Sequence, residues 1–153
     1  MSLFELAGTI TSIGQSVFSN DGTIYAYLEI SDAEGRRTLV ERVGVCNDVG
    51  SRLALGLSGR FYVDRFFRSG NLRCQLWGVK TERDMVIDAT DLRVRIAVIK
   101  ILQGIPGILV LGLGLFFIAS GIGLLVQCAR NDRKKFFFEG AAPPPLPVAT
   151  MRI

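Results

Sequence analysis

The sequence predicts a mainly β amino-terminal domain, five strands and one short helix forming a small barrel, followed by a juxtamembrane helix and a single transmembrane helix. Three observations carry that fold class. Apolar and polar side chains alternate with a period of two in several stretches of the first ninety residues, a helical spacing interrupts them once, and an uncharged apolar run follows. The 153 residues are 49% hydrophobic, high for a small soluble chain, so apolar character is concentrated locally.

The strands come first. "FELAGTITSI" (4–13) opens the set, and in "TIYAYLEI" (23–30) Ile24, Ala26, Leu28 and Ile30 alternate with Thr23, Tyr25, Tyr27 and Glu29, as in a half-buried strand. "RRTLVERVGV" (36–45) is the third. "GRFYVDRFF" (59–67) sets Phe61, Val63 and Phe67 opposite Tyr62, Asp64 and Phe66, and "LRCQLWGVK" (72–80) sets Leu72, Cys74 and Leu76 opposite Arg73, Gln75 and Trp77. The turn-forming runs "SNDG" (19–22), "DAEG" (32–35) and "RSGN" (68–71) separate most of them. Between the third and fourth strands, "NDVGSRLALGLSG" (47–59) offers Asn47 or Asp48 as a helix cap. Val49, Leu53 and Leu57 follow at four-residue spacing, and Gly59 is a stop.

Five strands with a helix after the third is the element order of an OB-type barrel, and an SH3-like barrel or an open sheet fits the same pattern. On "GTITSIG", "YAYLEI", "GLSGRFYVDRFF" and "LWGVKT", about the first eighty positions resemble small bacterial membrane proteins of unknown role that pair an OB-like β-domain with a membrane helix. The resemblance implies an integral protein of a bacterial inner membrane. OB barrels bind single strands by stacking bases on aromatics within a basic groove. Here Tyr25, Tyr27, Tyr62, Phe66 and Trp77, with Arg65 and Arg73, are the residues that would form a binding face for nucleic acid or oligosaccharide. Charge opposes nucleic acid: residues 1–91 hold ten Lys/Arg against twelve Asp/Glu, and the net +4 comes from 92–153, with eight against two. Covering a core or a protein contact is the simpler role for strand aromatics.

The soluble domain is therefore expected over 1–90. "DLRVRIAVIKILQ" (91–103) reads as an amphipathic juxtamembrane helix capped by Asp91, with a hinge at Gly104 and Pro106 completing the segment 91–104. Residues 105–127 form the expected transmembrane helix. From Ile105 to Val126 the strongly polar side chain is Ser120, and 22 helical residues rise about 33 Å against a hydrocarbon core of roughly 30 Å. A basic and aromatic flank (128–138) ends in Phe136–Phe138 as interfacial anchors, and the proline-rich 139–153 reads as a flexible tail. The membrane-flanking cations are Arg93, Arg95 and Lys100 on one side and Arg130, Arg133, Lys134 and Lys135 on the other. These nearly balance, so charge alone hardly sets orientation. "MSLFELAGTITSIG" lacks the features of a secretory signal, which favours a cytoplasmic β-domain and an external carboxyl terminus.

Gly107, Gly114 and Gly121 recur every seven residues and so share one helical face, while Ala119 and Gly123 add a small pair spaced by four. Close approach over small residues is a main source of helix association in lipid. The stripe is expected to drive homo-oligomerisation or docking to a partner membrane protein.

Catalysis is not expected. The chain has no histidine, which removes Ser–His and Cys–His nucleophile systems, and its three cysteines form no CxxC pair or metal-ligand spacing. No catalytic residue, cofactor or metal site is assigned. The expected function is a membrane-anchored interaction module or small subunit of an assembly, with a tethered OB domain for nucleic acid or oligosaccharide as the alternative.

Overall fold

The computed structural model describes residues 3–19, 22–69, 72–89, 91–108, 113–130, 132–139 and 150–152. The protein is mostly β, with a carboxy-terminal helix long and apolar enough to cross a membrane. It divides into two compact units, Met1–Thr90 with Phe136–Ile153, and Asp91–Lys135.

The elements are β1 (Leu3–Ile13), β2 (Ser16–Ser19), β3 (Gly22–Ser31), β4 (Arg37–Cys46), α1 (Asn47–Gly50), β5 (Ser58–Ser69), β6 (Leu72–Lys80), β7 (Met85–Ile87), α2 (Leu92–Ile108), α3 (Leu113–Arg130), α4 (Arg133–Glu139) and β8 (Thr150–Arg152). The five expected strands fall on β1, β3, β4, β5 and β6. Short β2 and β7 edge the sheet beside β3 and β6, and β8 runs parallel to β4 at Arg37–Leu39. Segments of three or four residues carry too little alternation to read from sequence. The tail expected to be flexible over 139–153 thus contributes a strand; residues 140–149 and 153 lie outside the described residues.

β1 is shared between two partners, pairing β5 through Leu3–Thr9 and β3 through Thr9–Ile13. Gly8 sits at the changeover, where a Cβ would collide with the Ser31 carbonyl. β3 pairs β4, and β5 pairs β6, both antiparallel, while β4 and β6 are parallel at Val43–Val45 and Cys74–Leu76. The ladders lead from β1 through β3, β4, β6 and β5 back to β1. Ile10, Leu28, Ile30, Val40, Val43, Val45, Val49, Phe61, Val63, Cys74, Leu76 and Val79 form the main core.

The expected alternation in β3 breaks midway. Arg42 of β4 has φ 52°, a left-handed conformation that is uncommon outside glycine, and it falls level with Ala26 between the Tyr25–Val43 and Tyr27–Glu41 pairs. Before Arg42 the core receives Val40, and after it Val43 and Val45. In β3 the core correspondingly receives Leu28 and Ile30 on one side of the break and Tyr25 on the other, leaving Ala26 exposed.

Residues 61–64 of β5 and 74–79 of β6 are buried on both faces. Behind the main core, Leu3, Tyr62, Trp77 and Phe137 make a second cluster, with the Phe137 ring 4.6 Å from Tyr62 and 6.0 Å from Trp77. Phe137 belongs to α4, whose first turn is capped by Asp132 Oδ1 accepting from Lys135 N at 3.1 Å. The 128–138 flank is therefore not wholly interfacial: Phe137 is 1% exposed, and among the three phenylalanines Phe138 is the outward one.

α1 also departs from expectation. Its N-cap is Cys46, which makes no side-chain cap bond, in place of the expected Asn47 or Asp48. The acceptor comes from far along the chain: Asp88 Oδ2 and Oδ1 take the Cys46 and Val49 N–H groups at 3.1 and 2.9 Å. Burial pushes the Asp88 carboxyl above the usual carboxylate range, against the pull of these backbone donors.

Candidate functional site: an apolar helical pair

In the unit Asp91–Lys135, α2 begins as expected, with Asp91 Oδ1 accepting from Arg93 N at 2.9 Å. The same oxygen meets Arg133 Nη2 at 3.1 Å, tying the start of the unit to its end. Between these points α2 and α3 pack antiparallel. Gly104 lies against Gly114 and Ile118, Lys100 Nζ donates to Ser120 Oγ at 3.2 Å, and Gly121 lies against Ala97 and Ile101.

The close approach depends on the absence of side chains. A Cβ on Gly104 would stand 2.8 Å from the Gly114 carbonyl oxygen, and one on Gly121 would stand 2.8 Å from that of Ala97. Backbone oxygens cannot swing aside, so these positions exclude even alanine without moving a helix. Ala97 is fully buried and Leu124 is 8% exposed, while Leu102, Ile105, Leu115, Phe116 and Ile122 are each more than half exposed.

The apolar run is thus not one helix over 105–127. α2 continues through Pro106 to Ile108, and α3, which starts at Leu113, packs antiparallel to it. The expected hinge at Gly104 and Pro106 lies inside α2: proline has no N–H to give but its φ suits a helix. Residues 109–112 lie outside the described residues. The candidate span covers Gly114–Glu139.

Each expected site residue can now be placed. Gly114 and Gly121 face α2, so their packing is spent within the chain; Gly107 lies on α2, which breaks the seven-residue stripe. Ala119 and Gly123 are exposed, and nothing lies within 4 Å of a Cβ on Gly123. Of the flanking cations, Arg95, Arg130, Lys134 and Lys135 are exposed, Arg93 is 2% exposed, Arg133 pairs with Asp91, and Lys100 is engaged between the helices instead of flanking them. Ala97, Gly104 and Ser120 complete the interface and were not anticipated.

The aromatic face does not assemble. Tyr62 and Trp77 belong to the second core cluster, where burial, and then the Glu5 carboxylate, push the Tyr62 phenol up. Tyr25 packs on the main core, and Tyr27 lies half-buried over Gly14 with its hydroxyl 3.4 Å from Ser12 Oγ. Arg65 is exposed, Arg73 pairs with Glu41 at 3.0 Å, and the Phe66 side chain lies outside the described residues. Alternation put Tyr62 and Trp77 on the face opposite the main core, but alternation cannot show that a helix sixty residues away covers that face.

Among the described residues no group of three His, Cys, Asp or Glu could hold a metal ion. Comparison of the chain with family models, curated proteins and solved structures finds no match.

Proposed function

We propose that this chain is a non-enzymatic, membrane-anchored interaction module: an OB-type barrel held at a bilayer by its helical unit, with the β-domain as contact surface. The outer surface of α2 and α3 carries the reading. Exposed phenylalanines, leucines and isoleucines mark an association surface, and for α3, 18 residues and about 27 Å long, hydrocarbon is the matching partner.

The ring of ladders supports the barrel. Antiparallel neighbours alternate in direction, so five strands close only if one neighbouring pair is parallel, and β4 with β6 supplies it. Val17 and Phe18, 70% and 80% exposed on the edge strand β2, support a protein contact on this unit. Nucleic acid is the weaker reading, because Tyr62 and Trp77 lie in a core cluster and Tyr25 packs on the main core. The cytoplasmic side suits the β-domain, since Lys and Arg gather at 93–100 and 130–135 and none occurs from 101 to 129.

Alkaline carbonate extraction of cells expressing the full chain tests the anchor. The protein should stay in the membrane pellet. Combined Phe116→Lys and Ile122→Lys should release it, since each charge costs about 2.5–3.5 kcal/mol at a helix centre. Release of the unsubstituted protein would refute the anchor.

A further inference from the structure

We infer that α2 and α3 enter the membrane as an antiparallel hairpin, so that the chain before Asp91 and the chain after Lys135 lie on the same side of the bilayer. The inference rests on the membrane-anchor reading and replaces the expectation of a single crossing with an external carboxyl terminus.

Two independent sets of observations lead there. One is the folded β unit itself, which contains both ends of the helical segment. Phe137, beyond α3, is 1% exposed in a cluster with Leu3, Tyr62 and Trp77, and Thr150–Arg152 extends the sheet beside β4. A single folded body cannot be divided by a bilayer, so the intervening residues must cross an even number of times. A single crossing would strip Phe137 from its cluster.

The other set lies within the helical unit. In lipid no hydrophobic drive brings helices together, so association relies on close packing over small residues and on interhelical hydrogen bonds. α2 and α3 have both, through Gly104, Gly114, Gly121 and Ala97 and through Lys100 Nζ to Ser120 Oγ. The lysine, costly in hydrocarbon, thereby has an acceptor and a stem long enough to reach toward the headgroups. No charged residue occurs from Ile101 to Ala129, while Asp91 and Arg133 pair at the opposite end of the hairpin. Apart from Lys100, which is held between the helices by Ser120, the charges of the unit lie toward its open end, as a hairpin entering from one side requires.

The test uses the full-length protein in membrane vesicles of both orientations, with Cys128→Ser removing the half-exposed thiol and a membrane-impermeant maleimide as probe. Glu82→Cys reports the β unit; Phe138→Cys, with Lys134→Cys as a second reporter, reports the chain after α3. All three positions are exposed. The inference expects Glu82→Cys and both later cysteines to label in the same vesicle orientation and to be protected in the other. Labelling of Phe138→Cys and Lys134→Cys in the orientation opposite to Glu82→Cys would overturn the hairpin and leave the membrane anchor standing. Release of the unsubstituted chain by carbonate would instead remove the anchor, and the hairpin with it.

Discussion

Phe137→Ala is the substitution on which most depends, because that ring places the chain beyond α3 within the β unit. The ring contacts Tyr62 and Trp77 and lies over Gly78, where a Cβ would stand 3.0 Å from one ring carbon and 3.1 Å from another. Truncating a buried Phe to Ala costs about 3–5 kcal/mol. The second cluster is small, with Ile87 and Phe136 only partly buried at its rim, so neighbours can relax into the space and the lower end of that range applies. A loss of about 3 kcal/mol is a large share of a typical stability of 5–15 kcal/mol. At an m-value of about 2 kcal/mol/M in urea it lowers the midpoint by roughly 1.5 M.

The assay is built into the protein, since Trp77 is its single tryptophan and is 0% exposed. Urea titration of the full chain in mild detergent, followed by Trp77 emission, should show the lower midpoint and a native-state red shift. A double-mutant cycle with Gly78→Ala sharpens it. In the unsubstituted protein the added methyl presses on the Phe137 ring and costs about 1–3 kcal/mol. With Phe137→Ala that pressure is gone, so the double variant should be more stable than the sum of the singles by at least about 0.5 kcal/mol. Strict additivity, with a midpoint shift under about 0.3 M and unchanged emission, would show that Phe137 is not packed here and would remove the first support of the hairpin.

Other substitutions probe the remaining contacts. Gly121→Ala should destabilise the helical unit by about 1–3 kcal/mol because its Cβ meets the Ala97 carbonyl, whereas Gly123→Ala should be neutral or stabilising by up to about 1 kcal/mol; thermal melts followed by helical circular dichroism compare them. Asp88→Ala should lower the stability of the β unit by about 2–4 kcal/mol in urea titration by leaving the Cys46 and Val49 N–H groups unpaired, less whatever is regained by removing a buried carboxylate. Burial holds the Cys74 thiol up at about 11 against an ordinary 9.0, so at pH 8 it should resist iodoacetamide in the native protein while Cys128 reacts, read by mass spectrometry of the alkylated chain. Because the folded state keeps that proton longer than the unfolded chain, its contribution is full below pH 9 and is lost as pH rises to about 11. Cys74→Ala should flatten this part of the stability profile in urea titrations from pH 8 to 11.

The five long strands were legible because alternation survives wherever one face is buried, as at Leu28, Ile30, Phe61 and Val63. It misled at Ala26, where a left-handed Arg42 reverses the faces, and nothing in "LVERVGV" announces a positive φ at an arginine. The helices were legible in part: Asp91 opens α2 and one helix is apolar and long enough to cross a membrane, but the bounds 105–127 were not those found. Length and apolarity say that 105–127 can span a bilayer, but the same residues can also turn back, and composition does not distinguish the two. The distinguishing signal was present, divided between two segments. Ala97 and Gly104 are seven residues apart, as are Gly114 and Gly121, and the two pairs are arranged almost symmetrically about the apolar stretch between them. Read as one continuous helix, the sequence yields the stripe Gly107, Gly114 and Gly121 and calls for a partner molecule. Read as a palindrome of small positions about a turn, it supplies its own partner, because each pair meets the other when the helices fold back. Seven-residue spacing of small residues thus specifies a face but not whose face it meets; in this chain the decision falls to Phe137, which requires the segment to return.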